Sequence, residues 1–246
     1  MDKESDVPQQ QCPITSPEER GYVPIFVARQ PIFDRNGDIW GYELLFRHSG
    51  QATVATILDQ DTATAKVIAD GFALAMRGLP PGKRALINFP QALLLEESAL
   101  ALPSQICVIE ILENVTPTAE LVEACRRIKE QGYTLALDDY VGQPGFEPLI
   151  DLSDIVKVDL LGMTPMAVAK LTQRLKAPCR QLLAEKVETR QVFDLTRSLG
   201  YDFFQGYYFS KPEIMQGKKL STHQVAHLRL LEELAKPDME FKDAAA

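Results

Sequence analysis

The stretch TAELVEACRRIKEQGYTLALDDY, residues 118–140, combines a helical pattern with a strand-like one. Its first part carries an apolar stripe at helical spacing and stops at Gly132, a residue that commonly ends helices. Its second part, Thr134–Tyr140, is a short apolar run typical of a buried strand. A helix that leads directly into a buried strand is the repeating unit of a parallel α/β sheet.

The same alternation runs through most of the chain. Helical patterns recur at 164–176 and at 189–200, where the pattern again ends on glycine. Besides 134–140, strands are predicted at 22–33, 40–47, 84–89, 106–112, 154–160, 181–188 and 201–209. A mainly parallel sheet of about eight strands in a chain of this length predicts an α/β fold, a TIM (β/α)8 barrel.

One segment departs from this rhythm. FVARQPIFDRNGDIWGYELLF, residues 26–46, contains two strand-like runs joined by the short polar turn DRNGD. Two strands joined by so short a turn form a hairpin. We therefore expect a modified barrel in which one strand is antiparallel to its neighbours.

Composition excludes several classes of protein. The net charge of −8 argues against polymeric nucleic acid as a partner. No apolar run approaches the ~18 residues of a membrane span, and the polar start MDKESDVPQQ lacks the apolar core of a signal peptide. We expect a cytoplasmic protein without membrane association. Four scattered cysteines without a CxxC pair argue against a disulfide framework and a zinc site.

Polar residues recur near the ends of the predicted strands. Any one of them is most simply read as a hydrogen-bonded or solvated residue at a strand end. Together they recur at the same place in successive units, and in a barrel these ends converge on one face, where active sites lie. The residues are Glu43, Asn88, Glu110, Asp138, Asp139, Lys157, Glu185, Glu188 and Gln205.

This set of side chains predicts a metal site. Several carboxylates in one cleft repel each other unless protons or cations compensate. Oxygen ligands from Asp, Glu and Asn suit Mg²⁺ or Mn²⁺, and the scarcity of His and Cys argues against zinc or copper. Two such ions can share a carboxylate and activate a water for attack on a phosphodiester. Lys157 could position or deprotonate that water.

These motifs resemble the EAL domain family of cyclic-di-GMP phosphodiesterases and receptors, from about residue 22 to residue 213. The matching pieces, in order, are RQPIF, YELLFR, INF, IEILE, LDDY, VKVD, AEKVET and QGYYFSKP. The family fold is a modified TIM barrel with one reversed strand. The resemblance therefore implies the same fold, cyclic-di-GMP as ligand, two Mg²⁺ or Mn²⁺ ions and a homodimer.

The resemblance also implies a role for individual residues. Glu43, Asn88, Glu110 and Asp138 would hold one metal ion, and Asp139 and Glu188 would serve the second. Lys157, Glu188 and Gln205 would be catalytic, with Lys157 and Gln205 handling the attacking water. Gln30 and Arg47 would contact the dinucleotide, and Glu113 would anchor the loop that follows the paired aspartates.

Three departures from the family pattern bear on activity. Leu44 replaces the alanine of the Glu-Ala-Leu signature. The loop after Asp139 reads YVGQPGF, residues 140–146, where active members usually have Phe-Gly-Thr-Gly. Lys186 stands where glycine is usual and places a bulky cation beside the site.

The ends of the chain are expected to lie outside the barrel. Residues 1–21 predict a mobile tail, residues 22–216 the EAL-type barrel, and residues 217–246 a C-terminal helix and linker. The stretch FSKPEIMQGKKLSTHQVAHLRLLEEL, residues 209–234, followed by KPDMEF, is similar to the segment that, in one branch of the family, leads into an HDOD domain, which would begin where this chain ends. The motifs RQPIFDRNGDIWGYELLFR and LLAEKVET also resemble that branch. His223 and His227 on the expected helix, and His48, read as surface or structural residues because no third metal ligand is near in sequence.

Two functions remain open from the sequence. The first is a metal-dependent hydrolase that opens cyclic-di-GMP to the linear dinucleotide, which the full ligand set and Lys157 favour. The second is a receptor or signalling scaffold that binds protein partners and turns over slowly or not at all, which the altered loop, Lys186 and the HDOD-type tail favour. A barrel enzyme for another phosphate ester is a third, more distant alternative.

Overall fold

The structure, a computed structural model, describes residues 24–47, 72–76 and 79–218. Its strands are β1 (Pro24–Asp34), β2 (Ile39–Arg47), β3 (Arg84–Phe89), β4 (Cys107–Ile111), β5 (Thr134–Tyr140), β6 (Ile155–Asp159), β7 (Gln181–Glu185), β8 (Phe203–Phe204) and β9 (Glu213–Lys218). Its helices include α1 (Gln91–Leu95), α2 (Ala119–Glu130), α3 (Glu147–Leu152), α4 (Pro165–Leu175) and α5 (Arg190–Leu199). Residues 72–76 are also helical, and Ser98–Ala101 form a 3-10 helix. The expected tail at 1–21, the expected C-terminal helix, and His48, His223 and His227 lie outside the described residues.

Eight of these strands close into a barrel. The sheet order is β2-β3-β4-β5-β6-β7-β8-β1-β9, and β1 also pairs with β2, which closes the ring. Neighbours from β2 to β8 are parallel, whereas β1 is antiparallel to both β2 and β8. The predicted α/β barrel with one antiparallel strand is thus confirmed.

The hairpin that reverses β1 is fixed by its turn. The side-chain carboxylate of Asp34 accepts hydrogen bonds from the backbone N–H groups of Asn36 (2.8 Å) and Asp38 (3.0 Å). Gly37 has φ +87°, a left-handed conformation that glycine adopts without steric cost. This local chemistry lets β2 return directly alongside β1 without a crossover helix.

The barrel interior is filled by one buried side chain from each of seven strands. The members of this interior layer are Ile32, Leu86, Val108, Ala136, Ile155, Leu183 and Phe203. The outer faces of the strands pack against the helices in a second, larger core. The interior layer closes the bottom of the barrel, so that any site must lie above it.

The helices that follow the strands begin as their sequences suggest. Thr118, Thr164 and Thr189 each stand just before a helix, and each hydroxyl oxygen accepts a hydrogen bond from the backbone N–H three residues on. α5 ends at Gly200 with φ +95°. These caps fix where each helix starts and so set the direction in which the preceding strand–helix loop runs.

The structure differs from the sequence prediction in three places. The strand predicted at 201–209 is only β8, because the chain leaves the sheet at Gln205 and turns at Gly206. The short helices α1 and α3 were not predicted, since five or six residues are too few for a helical period to show. β9, also unpredicted, pairs outside the barrel with β1 and runs past residue 216 to Lys218.

None of the helices in the described ranges has the length and apolar character that a bilayer crossing demands. Of the cysteines in the described ranges, Cys107 and Cys125 are buried and Cys179 is exposed.

Candidate functional site

The candidate site lies one step above the interior layer of the barrel. Alternate residues of a strand share a face, so the inward residue that follows Leu86 is Asn88, and the one that follows Val108 is Glu110. In the reversed strand β1 the step runs backwards, from Ile32 to Gln30. The same step gives Asp138 on β5, Lys157 on β6, Glu185 on β7 and, just past β8, Gln205.

Glu43 completes this polar layer from β2. Its backbone pairs in register with Leu86 of β3 on one side and with Gln30 of β1 on the other. The side chain is 8% exposed, and its Oε2 accepts a 2.6 Å hydrogen bond from Gln205 Nε2. Gln205 Nε2 also donates to Gln30 Oε1 at 3.2 Å, and Gln30 Nε2 donates to the backbone carbonyl of Ser210. A chain of three polar side chains therefore crosses the barrel where β8, β1 and β2 meet.

Lys157 stands at the centre of the carboxylates. Its ammonium is fully buried and lies 2.6 Å from Asp138, 2.7 Å from Glu110, 3.1 Å from Glu185 and 3.6 Å from Glu43. Burial lowers the pKa of Lys157, but the attraction of these four carboxylates outweighs burial and raises the pKa well above its ordinary value. One ammonium therefore faces four acidic groups, and it cannot neutralise all of them.

The excess of acid makes the site suitable for cations. Burial raises the pKa values of Glu110 and Glu185 well above their ordinary range, although Lys157 lowers both. Among the residues that the structure describes, Asn88 Oδ1, Glu110 Oε2 and Glu185 Oε2 are buried without a hydrogen-bond partner. Buried oxygens in this state are costly unless a proton or a cation binds them. The oxygens present fit a hard divalent cation.

The paired aspartates both reach the site because the strand is irregular at its end. Neighbouring residues of a regular strand face opposite sides. Here the pairing of β5 with β6 slips between Leu137 and Tyr140, and Asp139 adopts φ +42°. Asp138, Asp139 and Glu185 consequently bring one carboxylate oxygen each within 4.8 Å of one another.

Lys186 touches the same cluster from the rim of the barrel. It follows Glu185 directly and has φ +52°. Its ammonium lies 3.0 and 3.2 Å from the two oxygens of Asp139 and 2.6 Å from Asp159. Partial burial lowers the pKa of Lys186, whereas its bonds to Asp159 and Asp139 raise it, with a net shift upwards.

A cleft of about 460 Å³ opens above these residues. Glu43, Asp138, Asp139, Glu185 and Gln205 form its floor, and exposed Leu161 and Tyr207 stand in its wall. Its size is in the range of small-molecule sites, and its lining combines charged oxygens with apolar and aromatic surface. The arrangement can hold divalent cations at the floor and a small molecule above them.

The remaining predicted site residues lie at the edge of this arrangement. Glu188 is exposed on the wall of the cleft and does not belong to the cluster of Asp138, Asp139 and Glu185. Arg47 ends β2, and its side chain lies outside the described part. Glu113 follows β4, and its carboxyl pKa is raised by partial burial and by the charges of Asp138 and Asp139.

The loop that follows Asp139 is held largely by its own residues. The side-chain oxygen of Gln143 accepts a 2.9 Å hydrogen bond from the backbone N–H of Val141. The Tyr140 hydroxyl reaches the Gln143 carbonyl at 3.5 Å, and α3 begins directly after Phe146. No hydrogen bond joins Glu113 to residues 140–146 in the described part of the chain, so the anchoring role of Glu113 stays a prediction.

Two residues of the site were not assigned a role from sequence. Glu185 was noted at its strand end, but only Glu188 was given to the metal. The signal was present in the strand itself, since Glu185 stands two residues after inward-facing Leu183 whereas Glu188 follows the end of β7. Asp159, at the end of β6, was missed because its importance depends on the position of Lys186.

The chain is similar in sequence to known proteins. The model of the EAL domain family matches residues 25–212. The chain is 38% identical over 219 residues to "Cyclic di-GMP phosphodiesterase CdgJ" of Vibrio cholerae, covering 88% of this chain and 51% of that protein. It is 38% identical over 226 residues to "Uncharacterized protein YuxH" of Bacillus subtilis, covering 89% of this chain and 54% of that protein. The chain thus spans about half the length of each of these relatives.

A solved structure shares the fold. The Klebsiella pneumoniae BlrP1 structure, described as a manganese/cy-diGMP complex at pH 6, superposes with a TM-score of 0.65 at 25% identity. The match covers 87% of this chain and 61% of that one. The barrel fold is therefore one already known from experiment.

Proposed function

The chain belongs to the EAL domain family, and on that premise we propose that it is a metal-dependent phosphodiesterase that hydrolyses cyclic-di-GMP to the linear dinucleotide. The observation that carries the proposal is the polar layer at the top of the barrel. Every strand from β2 to β7 contributes an inward carboxylate, amide or ammonium there. Within the described part of the chain, the buried oxygens Asn88 Oδ1, Glu110 Oε2 and Glu185 Oε2 lack a hydrogen-bond partner. Four acidic groups around one buried lysine leave an excess of negative charge, which a bound cation would offset.

Two divalent cations, Mg²⁺ or Mn²⁺, are proposed to bind this layer. Glu43, Asn88, Glu110 and Asp138 supply oxygens for the first ion. Asp138, Asp139 and Glu185 supply oxygens for the second, because these three converge within 4.8 Å. When bound, the ions stabilise the charge on the phosphate and promote ionisation of a water.

The protein's own side chains are proposed to orient the reactants. Lys157 holds Asp138, Glu110 and Glu185 at fixed positions and directs its ammonium into the cleft floor. Gln205, bonded to Glu43, presents its amide to the attacking water. Glu188, on the wall of the cleft, is proposed to reach the second ion through water, and Gln30 and Arg47 to contact the dinucleotide.

Several broader properties belong to the same proposal. We propose that residues 22–216 form the functional domain, that the protein acts in the cytoplasm as a homodimer, and that Glu113 supports the loop 140–146. The motifs RQPIFDRNGDIWGYELLFR and LLAEKVET support membership of the branch that is joined to HDOD domains. Signalling proteins are the partners that such a branch would bind.

A second candidate function is supported by Lys186. The ion pairs of Lys186 with Asp139 engage both oxygens of a proposed metal ligand. A chain whose second cation site is weakened in this way would bind cyclic-di-GMP but turn it over slowly, as a receptor or scaffold does.

One experiment separates the two functions. Purified protein is incubated with cyclic-di-GMP and Mg²⁺ or Mn²⁺, and the linear product is quantified beside a Glu43→Ala control, while binding is titrated in Ca²⁺. Product that depends on Glu43 establishes the phosphodiesterase. Binding without product would replace it with the receptor, and the absence of both would remove cyclic-di-GMP from either role.

A further inference from the structure

The ammonium of Lys186 forms ion pairs that link the ends of three consecutive barrel strands. Asp139 belongs to the end of β5, Asp159 ends β6, and Lys186 follows β7. Lys186 Nζ lies 3.0 and 3.2 Å from the two Asp139 oxygens and 2.6 Å from Asp159. The Asp139 carboxylate is therefore engaged through both oxygens, and Asp159 holds the lysine from its other side.

The backbone at this place adopts conformations that side chains disfavour. Lys186 has φ +52° and Asp139 has φ +42°. Left-handed conformations cost a non-glycine residue about 1 kcal/mol or more. Two such residues facing each other across an ion pair indicate that the charge contact between them contributes to holding both.

The ammonium competes directly with the proposed second cation. Asp139 is one of three residues whose oxygens converge closely enough to hold an ion, together with Asp138 and Glu185. Glu185 Oε2 has no hydrogen-bond partner among the described residues, and Asp138 is already bonded to Lys157. Of the three ligands, Asp139 is thus the one whose availability depends on Lys186.

We propose that Lys186 is a tethered competitor for the second divalent cation, so that the ammonium of this chain sets the affinity of that site. The proposal deepens the proposed function and depends on its metal site. Before the ion can use Asp139, the ammonium has to withdraw from it, and Asp159 is the group that retains the lysine after withdrawal. Lys186 is a positioning residue, since it acts on the ion through Asp139.

The test measures cation binding without substrate or turnover. Calorimetric titration of the full chain with Ca²⁺ is compared between the native protein and Lys186→Met, which removes the charge but keeps a side chain of similar length. The Ca²⁺ affinity of the second cation site is expected to rise about three- to tenfold, which is the size of one partly screened charge interaction. Lys170→Met, an exposed lysine on α4, makes the same change in net charge and is expected to leave the affinity unaltered.

Three further variants separate the effect of charge from that of backbone strain and test the role of Asp159. Lys186→Arg keeps the charge and is expected to retain the native affinity, whereas Lys186→Gly removes charge and strain together and should match Lys186→Met. In Asp159→Asn, Asp139 is the acidic partner that Lys186 keeps, so the Ca²⁺ affinity of the second cation site should fall. A thermal melt verifies that each variant is folded.

Each outcome of the Ca²⁺ titration either supports or overturns the proposal. Equal Ca²⁺ affinities of the native protein and Lys186→Met, or a gain confined to Lys186→Gly, would overturn the proposal. Because the titration needs no turnover, a chain that gains Ca²⁺ affinity but yields no linear product keeps this inference and loses the phosphodiesterase. A chain that yields product without a change in Ca²⁺ affinity keeps the phosphodiesterase and loses this inference.

Discussion

Lys157 Nζ lies 2.6 Å from Asp138 Oδ1, and both side chains are buried, with Asp138 at the floor of the cleft. This pair joins two adjacent strands, β5 and β6, at the level where the other acidic groups converge. Its geometry makes the lysine both a structural counter-ion and a proposed catalytic group, so that its removal should affect stability and turnover together.

Lys157→Met is expected to abolish turnover of cyclic-di-GMP and to lower the free energy of unfolding by about 3–5 kcal/mol, because buried carboxylates are left without their cation. Ca²⁺ should restore part of that stability by replacing the missing charge. Denaturant unfolding with and without Ca²⁺ measures both effects. Lys170→Met is the control, and unfolding indistinguishable from that control would show that the carboxylates do not depend on Lys157.

The barrel and the polar layer were both accessible from sequence for one physical reason. Apolar residues such as Leu86 and polar residues such as Asn88 stand two apart, and a strand puts such pairs on one face. Because strands of a barrel end on a common rim, polar residues at successive strand ends converge without any further information. The two-residue repeat of the strands therefore indicated both the fold and the place of the site.

Asp139 and Lys186 were both expected beside the site, but the contact between them escaped prediction because it depends on single backbone angles. Asp139 joins the cation cluster only because it adopts φ +42° after a slip in strand register. Lys186 meets Asp139 only because its own φ is positive. Neither angle leaves a periodic trace in the sequence, and a lysine or an aspartate in that conformation is too uncommon to be expected from residue type.

Glu110→Gln is expected to stabilise the cation-free protein by about 0.5–2 kcal/mol while it abolishes turnover. Glu110 is fully buried, and the amide keeps its shape but removes one of the four negative charges around Lys157. The stabilisation that Ca²⁺ provides should shrink at the same time, because a ligand is lost. Thermal melts with and without Ca²⁺ measure both, with exposed Glu123→Gln on α2 as the matched control. A less stable cation-free variant would mean that the Glu110 charge is already well compensated.

Gly206→Ala is expected to cost more than about 3 kcal/mol of stability and to displace Gln205. Gly206 has φ +152°, and a Cβ there would lie 2.2 Å from the carbonyl oxygen of Val187. Gly145→Ala is the control, since its φ of +86° is also unfavourable but no atom lies within 4 Å of the added carbon. Its cost should be about 1–2 kcal/mol, the conformational part alone. Equal costs in denaturant unfolding would show that Val187 moves away freely.

Tyr207→Ala is expected to weaken cyclic-di-GMP binding about tenfold with little change in kcat. Tyr207 is 61% exposed in the wall of the cleft, and Lys211 Nζ lies 5.6 Å from its ring centre. A purine base that stacks on such a ring gains about 1–3 kcal/mol, and the gain is equal in the ground and transition states. The effect should therefore appear in KM and in the Kd measured in Ca²⁺.

Two variants test whether the loss of cyclic-di-GMP affinity is due to the aromatic ring of Tyr207. Tyr207→Phe retains the aromatic face and should bind as the native protein does. Ile214→Ala removes an equally exposed apolar side chain from β9, away from the cleft, and should have no effect. A fall in kcat without a change in KM would place Tyr207 among the groups that act on the reacting phosphate, and a loss shared by Ile214→Ala would indicate a general change of the surface. A stacking role for Tyr207 therefore requires that only Tyr207→Ala loses ligand affinity and that its kcat changes little.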